Sequence, residues 1–360
     1  MMDSNAKASL PTIGPENSNH QASSQSCTLG MRKSKSSLEE NDDDEDVKKL
    51  KSFISKNFAG CDLTLCIFMA AAKTFKIDQC LRPFPQCFVD DNNEKDFVRL
   101  KKTCDKIPPL KDFLTLPSKN ISKDIRNLLS YLFMESGIPV FSDCSVENLP
   151  LSVVNKQASI SALPQYVFEV NYNSKFEEAF KKRKGSREII YAFHGSSVHN
   201  FYSILKFGLQ QHFRQSKEVL FGNGIYLSNE ISVCTNYSPF GETWENSSLG
   251  QKHSIIALCE IINNEEEVKC KDEKNKKRAL NQDSYGAIPD KYFVVTNSEL
   301  VKIKYLLAYR YRASTVVASF TKKNCLWIVI VLYLAILVLI RLVNGPSWPK
   351  FIRYLCSFIE

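Results

Sequence analysis

The sequence predicts an α+β protein with a helical first part, a mostly antiparallel sheet in its second part, and a single C-terminal transmembrane helix. Helix-forming apolar and amphipathic stretches fill residues 47–155. Short runs rich in β-branched and aromatic residues, which are typical of strands, follow from residue 165. An uncharged run of sixteen residues, 325–340, then has the composition of a membrane span.

The first 46 residues predict a disordered acidic tail. They are rich in Ser and Asn, and "EENDDDED" at 39–46 holds seven acids in eight positions. Such a segment cannot bury enough apolar surface to offset its conformational entropy. A solvated tail is favoured over a binding site for a basic partner.

The helical domain is predicted over 47–155. The apolar stretch "DLTLCIFMAAAKT" predicts a helix over 62–74 that starts at Asp62 as its N-cap. Two prolines in "LRPFP", 81–85, break the chain, and "LKDFLTL" and "ISKDIRNLLSYLFM" predict two further helices.

The second domain is predicted over 165–312. Its strands are expected at 166–172, 188–193, 254–261, 292–296 and 301–309. A helix is expected over 198–207 because apolar residues recur at helical spacing, with Gly208 as its C-cap glycine. The long polar stretch 263–289 is predicted to be a surface loop.

Charge and cysteine usage narrow the function classes. The formal net charge is +8; residues 1–46 contribute −5, so the remainder carries +13. No dense basic stripe with interleaved aromatic residues is present, which argues against a nucleic acid partner. The positive charge is then explained by solvated surface residues or by a membrane surface. Twelve cysteines form no C-x-x-C pair, so no metal site is expected and the thiols should be reduced.

The apolar segment predicts a tail anchor. Residues 325–343 number nineteen and would span roughly 28 Å as a helix, close to the hydrocarbon thickness of a bilayer. A buried core helix is the alternative, but the run offers no polar face. The N-terminus lacks an apolar signal region, so the bulk of the chain is expected in the cytosol and residues 344–360 as a short luminal tail.

The stretch "YAFHGSS" at 191–197 is the first candidate for chemistry. The apolar run ends at His194, whose ring nitrogens can hold a sugar hydroxyl. Gly195 has no Cβ and lets a ligand approach the main chain, and Ser196 adds a small donor and acceptor. Alone, this motif is more typical of a structural histidine than of a binding site.

A second cluster, "FGNGIYLS" at 221–228, carries Tyr226, and Tyr237 follows eleven residues later. If the chain turns back between them, both rings can face one flat heterocycle. The glycines do not form a dinucleotide fingerprint, because the third glycine is missing.

These motifs resemble those of the poly(ADP-ribose) polymerase family, the diphtheria-toxin-like ADP-ribosyltransferases. The ordered motifs are "HGS" at 194–196, "GNGIY" at 222–226 and "KYFVVTNSELVKIKYLLAY" at 291–309. The helical domain and the terminal apolar segment also look like the tail-anchored, mono-ADP-ribosylating member of that family at the endoplasmic reticulum. The resemblance implies a split antiparallel sheet that forms an ADP-ribosyltransferase catalytic domain.

The resemblance also implies roles toward NAD+ as substrate. His194 would hold the 2′-hydroxyl of the adenine-proximal ribose, the Gly195 backbone would bind the carboxamide, and Ser196 would touch the adenosine ribose. Tyr226 and Tyr237 would sandwich the nicotinamide ring. A segment over 209–221 would cover the bound dinucleotide as a lid.

Two departures from the family pattern modify this expectation. The polymerising members carry a glutamate where this chain has Tyr292, and a phenol is a poor base at neutral pH. His194, Tyr226 and Tyr292 are therefore predicted as the catalytic set for transfer of one unit, and Asp290 is a second candidate, which could supply the missing carboxylate. Cys234 stands where the family often has a serine that binds the carboxamide, and a thiol is the weaker donor.

The predicted function is transfer of a single ADP-ribose from NAD+ to protein acceptors, including the chain itself, without a metal. The resemblance implies a location in the endoplasmic reticulum membrane and nuclear envelope. The alternative is a catalytically weak or inactive, membrane-anchored NAD-binding scaffold, against which the retained His194 and both stacking tyrosines argue.

Overall fold

The computed structural model describes most of the chain. The described residues are 44–150, 163–211, 220–281, 284, 286–312 and 315–343, with side chains in the last helix described over 327–341. Predictions that concern residues 1–43, residues 212–219 of the proposed lid, and the tail 344–360 lie outside these residues.

Six α-helices precede the sheet in the described residues. They are α1 Asp44–Lys56, α2 Phe58–Lys73, α3 Ile77–Cys80, α4 Phe97–Cys104, α5 Leu110–Thr115 and α6 Lys123–Ser130. The helical region predicted from composition is confirmed, although α1 starts at Asp44, three residues before the predicted start of the helical domain at residue 47.

Helix α2 is the central helix of this region. Its sequence is rich in Ala, Leu and Met, which favour helices, and every residue from Gly60 to Ala72 is buried. The predicted N-cap at Asp62 is wrong, because the helix begins at Phe58 and Asp62 lies inside it, 1% exposed. Other parts of the fold satisfy its carboxylate.

The second part is built on one antiparallel sheet, as predicted. The strands are β1 Val140–Cys144, β2 Tyr166–Asn171, β3 Ile189–Gly195, β4 Ile225–Ser228, β5 Gly241–Glu242, β6 Lys252–Ile262, β7 Val268–Lys269, β8 Tyr292–Val295 and β9 Val301–Arg310. Their order is β1-β2-β9-β6-β3-β4-β8-β7, with β5 paired to β6. Helices of this part are α7 Ser174–Lys184, α8 Phe201–Phe207, α9 Ile231–Thr235 and α10 Thr315–Val343.

The sheet consists of two halves, which are joined between β3 and β4 by a single residue pair. Strand β3 pairs with β6 over its whole length, but it pairs with β4 only at Phe193 and Ser228. The single pair leaves the ends of β3 and β4 free of ladder hydrogen bonds to each other. This is the split that the family resemblance implied, and both candidate motifs end at it.

The boundary between the two predicted domains is shifted. Strand β1 lies within the segment predicted to be helical, yet it pairs with β2 in the sheet. The two parts also share one hydrophobic core, in which the ring of Phe68 on α2 meets that of Tyr202 on α8 edge to face at 5.3 Å. The helical region therefore packs as a layer on the sheet domain.

The stretch 263–289 is not the surface loop that its polarity predicted. It contains β7, a 3₁₀ turn over Lys276–Ala279, and a buried arginine. The Arg278 Nε donates to the Val268 carbonyl at 2.9 Å, and its guanidinium pairs with Asp272 at 3.4 Å. Because the guanidinium bonds to other residues of the same polar stretch, residues 263–289 form a small folded lobe instead of a loop.

Within the described residues, no single helix combines the length and hydropathy of a membrane span. The apolar part of α10 over Trp327–Arg341 is shorter than such a span. Taken together, the consecutive helices α1 and α2 have the length and composition of a span, but the chain bends by 102° between them. Helix α2 also lies buried in the core. The transmembrane helix over 325–343 stays a prediction.

Candidate active site

The candidate site lies at the split between β3 and β4. His194, on β3, places its Nδ1 3.0 Å from the main-chain oxygen of Tyr226 on β4. A carbonyl oxygen can only accept, so this contact requires the proton on Nδ1 and leaves the lone pair of a neutral ring on Nε2. The contact also bridges the two sheet halves where the ladder is missing.

Gly195 is required by close packing of α9 on the end of β3. A Cβ added at Gly195 would lie 2.3 Å from the carbonyl oxygen of Cys234 and 3.0 Å from the Ser238 hydroxyl oxygen. No other residue fits without moving α9. The bare backbone of Gly195 therefore borders the cavity on one side and α9 on the other.

Ser196 connects the sheet to the helical region. Its N–H donates to the Ser238 hydroxyl at 3.1 Å, and its own hydroxyl accepts from the Asn200 side chain at 3.0 Å. The Oδ1 atom of the same Asn200 amide accepts from the thiol of Cys80, the last residue of α3, at 3.5 Å. Sequence reasoning missed Asn200 and Cys80, since a lone amide and a lone thiol carry no pattern.

The hydroxyl of Tyr226 is engaged by its own loop. It accepts from the N–H of Phe221 at 3.1 Å and donates to the carbonyl of Gly222 at 2.8 Å. These bonds hold the phenol ring against the cavity. Tyr237, 56% exposed, lines the same cavity, so both predicted stacking rings border one space.

The cavity measures about 380 Å³, within the range of small-molecule sites. His194, Gly195 and Ser196 line it together with the two tyrosines. The helical region completes the wall near α3 with three side chains that the sequence did not predict, Lys76, Gln79 and Cys80.

Charge in the cavity wall is sparse. Lys76 is the one lysine or arginine among the lining residues that the structure describes, and none of those residues carries a carboxylate. Burial, aided by the nearby charge of Lys76, lowers the pKa of His199 beside the cavity. The wall thus offers one ammonium together with hydroxyl, amide and imidazole groups.

The structure places Tyr292 beside the cavity, outside its lining. Its ring lies 5.8 Å from that of Phe221, which in turn lies 6.4 Å from the ring of Tyr226. The second candidate, Asp290, has an 82% exposed carboxylate that pairs with Lys271 at 3.5 Å. Of the two, only Tyr292 is connected to the cavity through neighbouring rings.

Cys234 is buried behind Gly195 and is not among the lining residues. It packs in a small apolar cluster with Phe193 and Ile231, and burial raises the pKa of its thiol to about 12. The thiol is neutral at physiological pH and is no nucleophile there. Its predicted contact with the carboxamide stays a prediction. The described residues contain no cluster of three or more potential metal ligands.

Comparison with known proteins decides the family. The poly(ADP-ribose) polymerase catalytic domain matches residues 152–263, and the ARTD15 N-terminal domain matches residues 52–133. The human protein mono-ADP-ribosyltransferase PARP16 is 34% identical over 309 residues, which cover 82% of this chain and 94% of that relative. The chain belongs to the poly(ADP-ribose) polymerase family.

Further relatives agree with this membership. Mouse PARP16 is 33% identical over 308 residues, with the same coverage of both chains. Mouse protein mono-ADP-ribosyltransferase PARP8 is 27% identical over 209 residues, 49% of this chain and 24% of that longer relative. As a family member with this catalytic domain, the chain is an ADP-ribosyltransferase that uses NAD+.

Proposed function

We propose that the protein transfers a single ADP-ribose unit from NAD+ to protein side chains, including its own, while anchored in a membrane. One observation supports the single-unit part: the described cavity lining holds no carboxylate, and the nearby Tyr292 stands where the polymerising members of the family carry a glutamate. A phenol can bond a ribose hydroxyl, but it deprotonates one poorly at neutral pH.

The residues of the cavity fit NAD+ as substrate. Two phenol rings border a space open to the Gly195 backbone, which suits a flat ring with a carboxamide. The Nε2 of His194 can accept from a ribose hydroxyl, and the ammonium of Lys76 favours the negative diphosphate. The site supplies shape and orientation for a leaving group that is already cationic.

In the reaction, the bond between the ribose C1 and the nicotinamide nitrogen breaks, and the nitrogen keeps the electron pair. An acceptor side chain then bonds to C1 and releases its proton to solvent. The chain contributes by holding the nicotinamide ring, orienting the ribose and excluding water, each of which lowers the barrier without a charged catalyst.

Labelling with radioactive NAD+ tests this function. The full chain should label itself, and phosphodiesterase digestion should release AMP alone, because only single units are attached. Tyr226→Ala should reduce labelling at least tenfold, since it removes one wall of the ring site. Tyr311→Ala, which removes a half-exposed ring outside the cavity lining, should leave labelling unchanged.

Phosphoribosyl-AMP in the digest would reveal polymer and refute single-unit transfer. NAD+ binding without labelling would favour the alternative, an inactive NAD-binding scaffold.

The proposed anchor is residues 325–343. Support comes from the described side chains of α10, where the large apolar residues other than the half-buried Ile328 are exposed, from 37% at Ile330 to 67% at Trp327. A soluble protein rarely leaves so large an apolar surface in water. The nine described cysteines are free thiols, which fits a reducing compartment for the catalytic part.

We propose a single pass through the endoplasmic reticulum membrane and nuclear envelope, with the catalytic domain in the cytosol. A fluorescent fusion should therefore become diffuse when 325–343 is deleted. Replacing Leu332 and Ile336 by lysine should have the same effect, because each charge at a span centre costs about 3 kcal/mol. A tag at Met1 should be digested by protease added to sealed microsomes, and a tag at Glu360 should be protected. A deletion variant that stays on its membrane would overturn the anchor.

A further inference from the structure

The orientation of the Tyr226 ring depends on a short loop ahead of β4. Its hydroxyl accepts from the N–H of Phe221 and donates to the carbonyl of Gly222. Gly224, which follows, has a φ of +157°, and a Cβ there would lie 2.6 Å from a Val294 side-chain carbon. The ring can stay in place only as long as this loop keeps its path.

A side chain from the folded lobe at 263–289 holds that loop. The amide nitrogen of Asn281 donates to the carbonyl of Phe221 at 3.0 Å and to the carbonyl of Asn223 at 2.9 Å. An NH₂ group has two hydrogens, so one serves each carbonyl. Asn281 thus joins the first and last residues of the segment 221–223, while the carbonyl of the middle residue, Gly222, accepts from the Tyr226 hydroxyl.

Asn281 is itself well supported. It comes three residues after the buried Arg278, whose guanidinium fixes the lobe. Ser284 forms an isolated antiparallel bridge with Phe221 and donates its N–H to the carbonyl of Asn281 at 3.3 Å. The lobe therefore approaches the loop with both backbone and side chain.

The loop also carries the ring that joins the two predicted catalytic tyrosines. Phe221 lies between Tyr226 and Tyr292, with centroid distances of 6.4 and 5.8 Å. A displacement of Phe221 would move one wall of the nicotinamide site and the surroundings of Tyr292 together. The side-chain amide of Asn281 therefore fixes the surroundings of both Tyr226 and Tyr292.

We propose that Asn281 is a positioning residue for the transferase reaction, acting through the loop over 221–223 to fix the rings of Tyr226 and Phe221. It has no contact with substrate in this assignment. The expected effect on catalysis rests on the proposed function. The clamp, meaning the two bonds from the Asn281 amide to the carbonyls of Phe221 and Asn223, is a property of the folded chain.

Hydrogen exchange on the full chain in detergent tests the clamp without reference to activity. Asn281→Ala should speed exchange in the peptide containing Phe221, whose N–H is bonded to the Tyr226 hydroxyl. Asn281→Asp keeps the size but sets a carboxylate against two carbonyls, so exchange should rise further. Asn275→Ala is the matched control, since that amide lies in the same lobe and, within the described part of the chain, bonds the exposed Glu265 at 3.2 Å.

Kinetics test the consequence. For Asn281→Ala, kcat/KM for NAD+ should fall about tenfold, and inhibition by nicotinamide should weaken by a similar factor, since both report on the ring site. Asn275→Ala should match the wild type in both. Unchanged exchange at Phe221, or faster exchange with wild-type kinetics and nicotinamide inhibition, would overturn the assignment. An inactive wild-type chain would instead refute the proposed function, with the exchange data still reporting on the clamp.

Discussion

Replacing Gly195 by alanine is expected to lower NAD+-dependent self-labelling at least 100-fold. The new methyl carbon would lie 2.3 Å from the carbonyl oxygen of Cys234, so one of the two must move by about 1 Å to reach an ordinary contact. Strand β3 is fixed by its full pairing with β6, which leaves α9 as the part that shifts. A displacement of this size in a site that works by orientation costs on the order of 100-fold in rate.

A shift of α9 affects the site directly, because α9 and the residues after it contact Tyr237 and Ser196. The Cys234 carbonyl accepts from the N–H of Tyr237 at 3.0 Å, and the Ser238 hydroxyl accepts from the N–H of Ser196. Moving α9 therefore moves one stacking ring and loosens Ser196 at once. The backbone of Gly195 would also be shielded by its new methyl group.

Gly286→Ala provides the matched control. A Cβ at Gly286 meets nothing within 4 Å, so the same chemical change should leave labelling within twofold of the wild type. Circular dichroism of both variants shows whether they remain folded. Normal labelling by folded Gly195→Ala would mean that α9 does not form part of the NAD+ site.

The sheet could be predicted from the sequence because the residues that favour strands lie within each strand itself. Val, Ile, Phe and Tyr cluster in the segments that became β2, β3, β6, β8 and β9, and the predicted bounds differ from the observed ones by two residues at most. Gly208 ends α8 with a φ of +77°, as a C-cap glycine should. These features depend on neighbouring residues, so the sequence contains them directly.

The features that were missed depend on distant contacts. Asp62 looked like an N-cap because it precedes an apolar run, but its partners are 185 and 186 residues away. The lobe at 263–289 looked like a loop because its core is one arginine, and a basic run signals solvent exposure in most sequences. Neither pairing follows from local pattern.

The candidate site divides in the same way. His194, Gly195, Ser196 and the two stacking tyrosines were predicted from motif spacing, and the structure brings them to one cavity. The wall near α3 and the clamp at Asn281 could not be predicted, because each joins segments that are more than 50 residues apart in the chain. Sequence motifs indicate the residues that face a ligand, whereas the residues that hold them are found by structure.

The buried carboxylate of Asp62 gives the largest expected effect on stability. It accepts from the Ser248 N–H at 2.8 Å, from the Ser248 hydroxyl at 2.6 Å and from the Ser247 hydroxyl. Both serines lie in the turn before β6, so one side chain joins the central helix of the helical region to the sheet. The thiol of Cys66, one turn along α2, adds a weak bond at 3.7 Å.

Asp62→Ala is therefore expected to lower the free energy of unfolding by about 3 kcal/mol. The substitution removes the charged acceptor of one N–H and two hydroxyls, and a hydrogen bond to a charged group contributes about 1.5–3 kcal/mol. Ser247 is half-buried and Ser248 exposed, so water replaces part of what these groups lose. Urea unfolding of the full chain in detergent, followed by tryptophan fluorescence, reports the change through Trp244, which is buried in the same turn. Asp62→Asn should fall between the wild type and alanine, because the hydroxyls can rotate to accept from its amide while the charge is lost.

Asp105→Ala separates the effect of burial from that of charge. Asp105 lies just beyond the end of α4 with its side chain 63% exposed, and it pairs with Lys73 at 3.9 Å. Removing so exposed a partner should change the unfolding free energy by no more than about 0.5 kcal/mol. Equal losses for Asp62→Ala and Asp105→Ala would mean that the two parts of the fold do not depend on the buried carboxylate, and that apolar contacts such as Phe68 against Tyr202 hold them together.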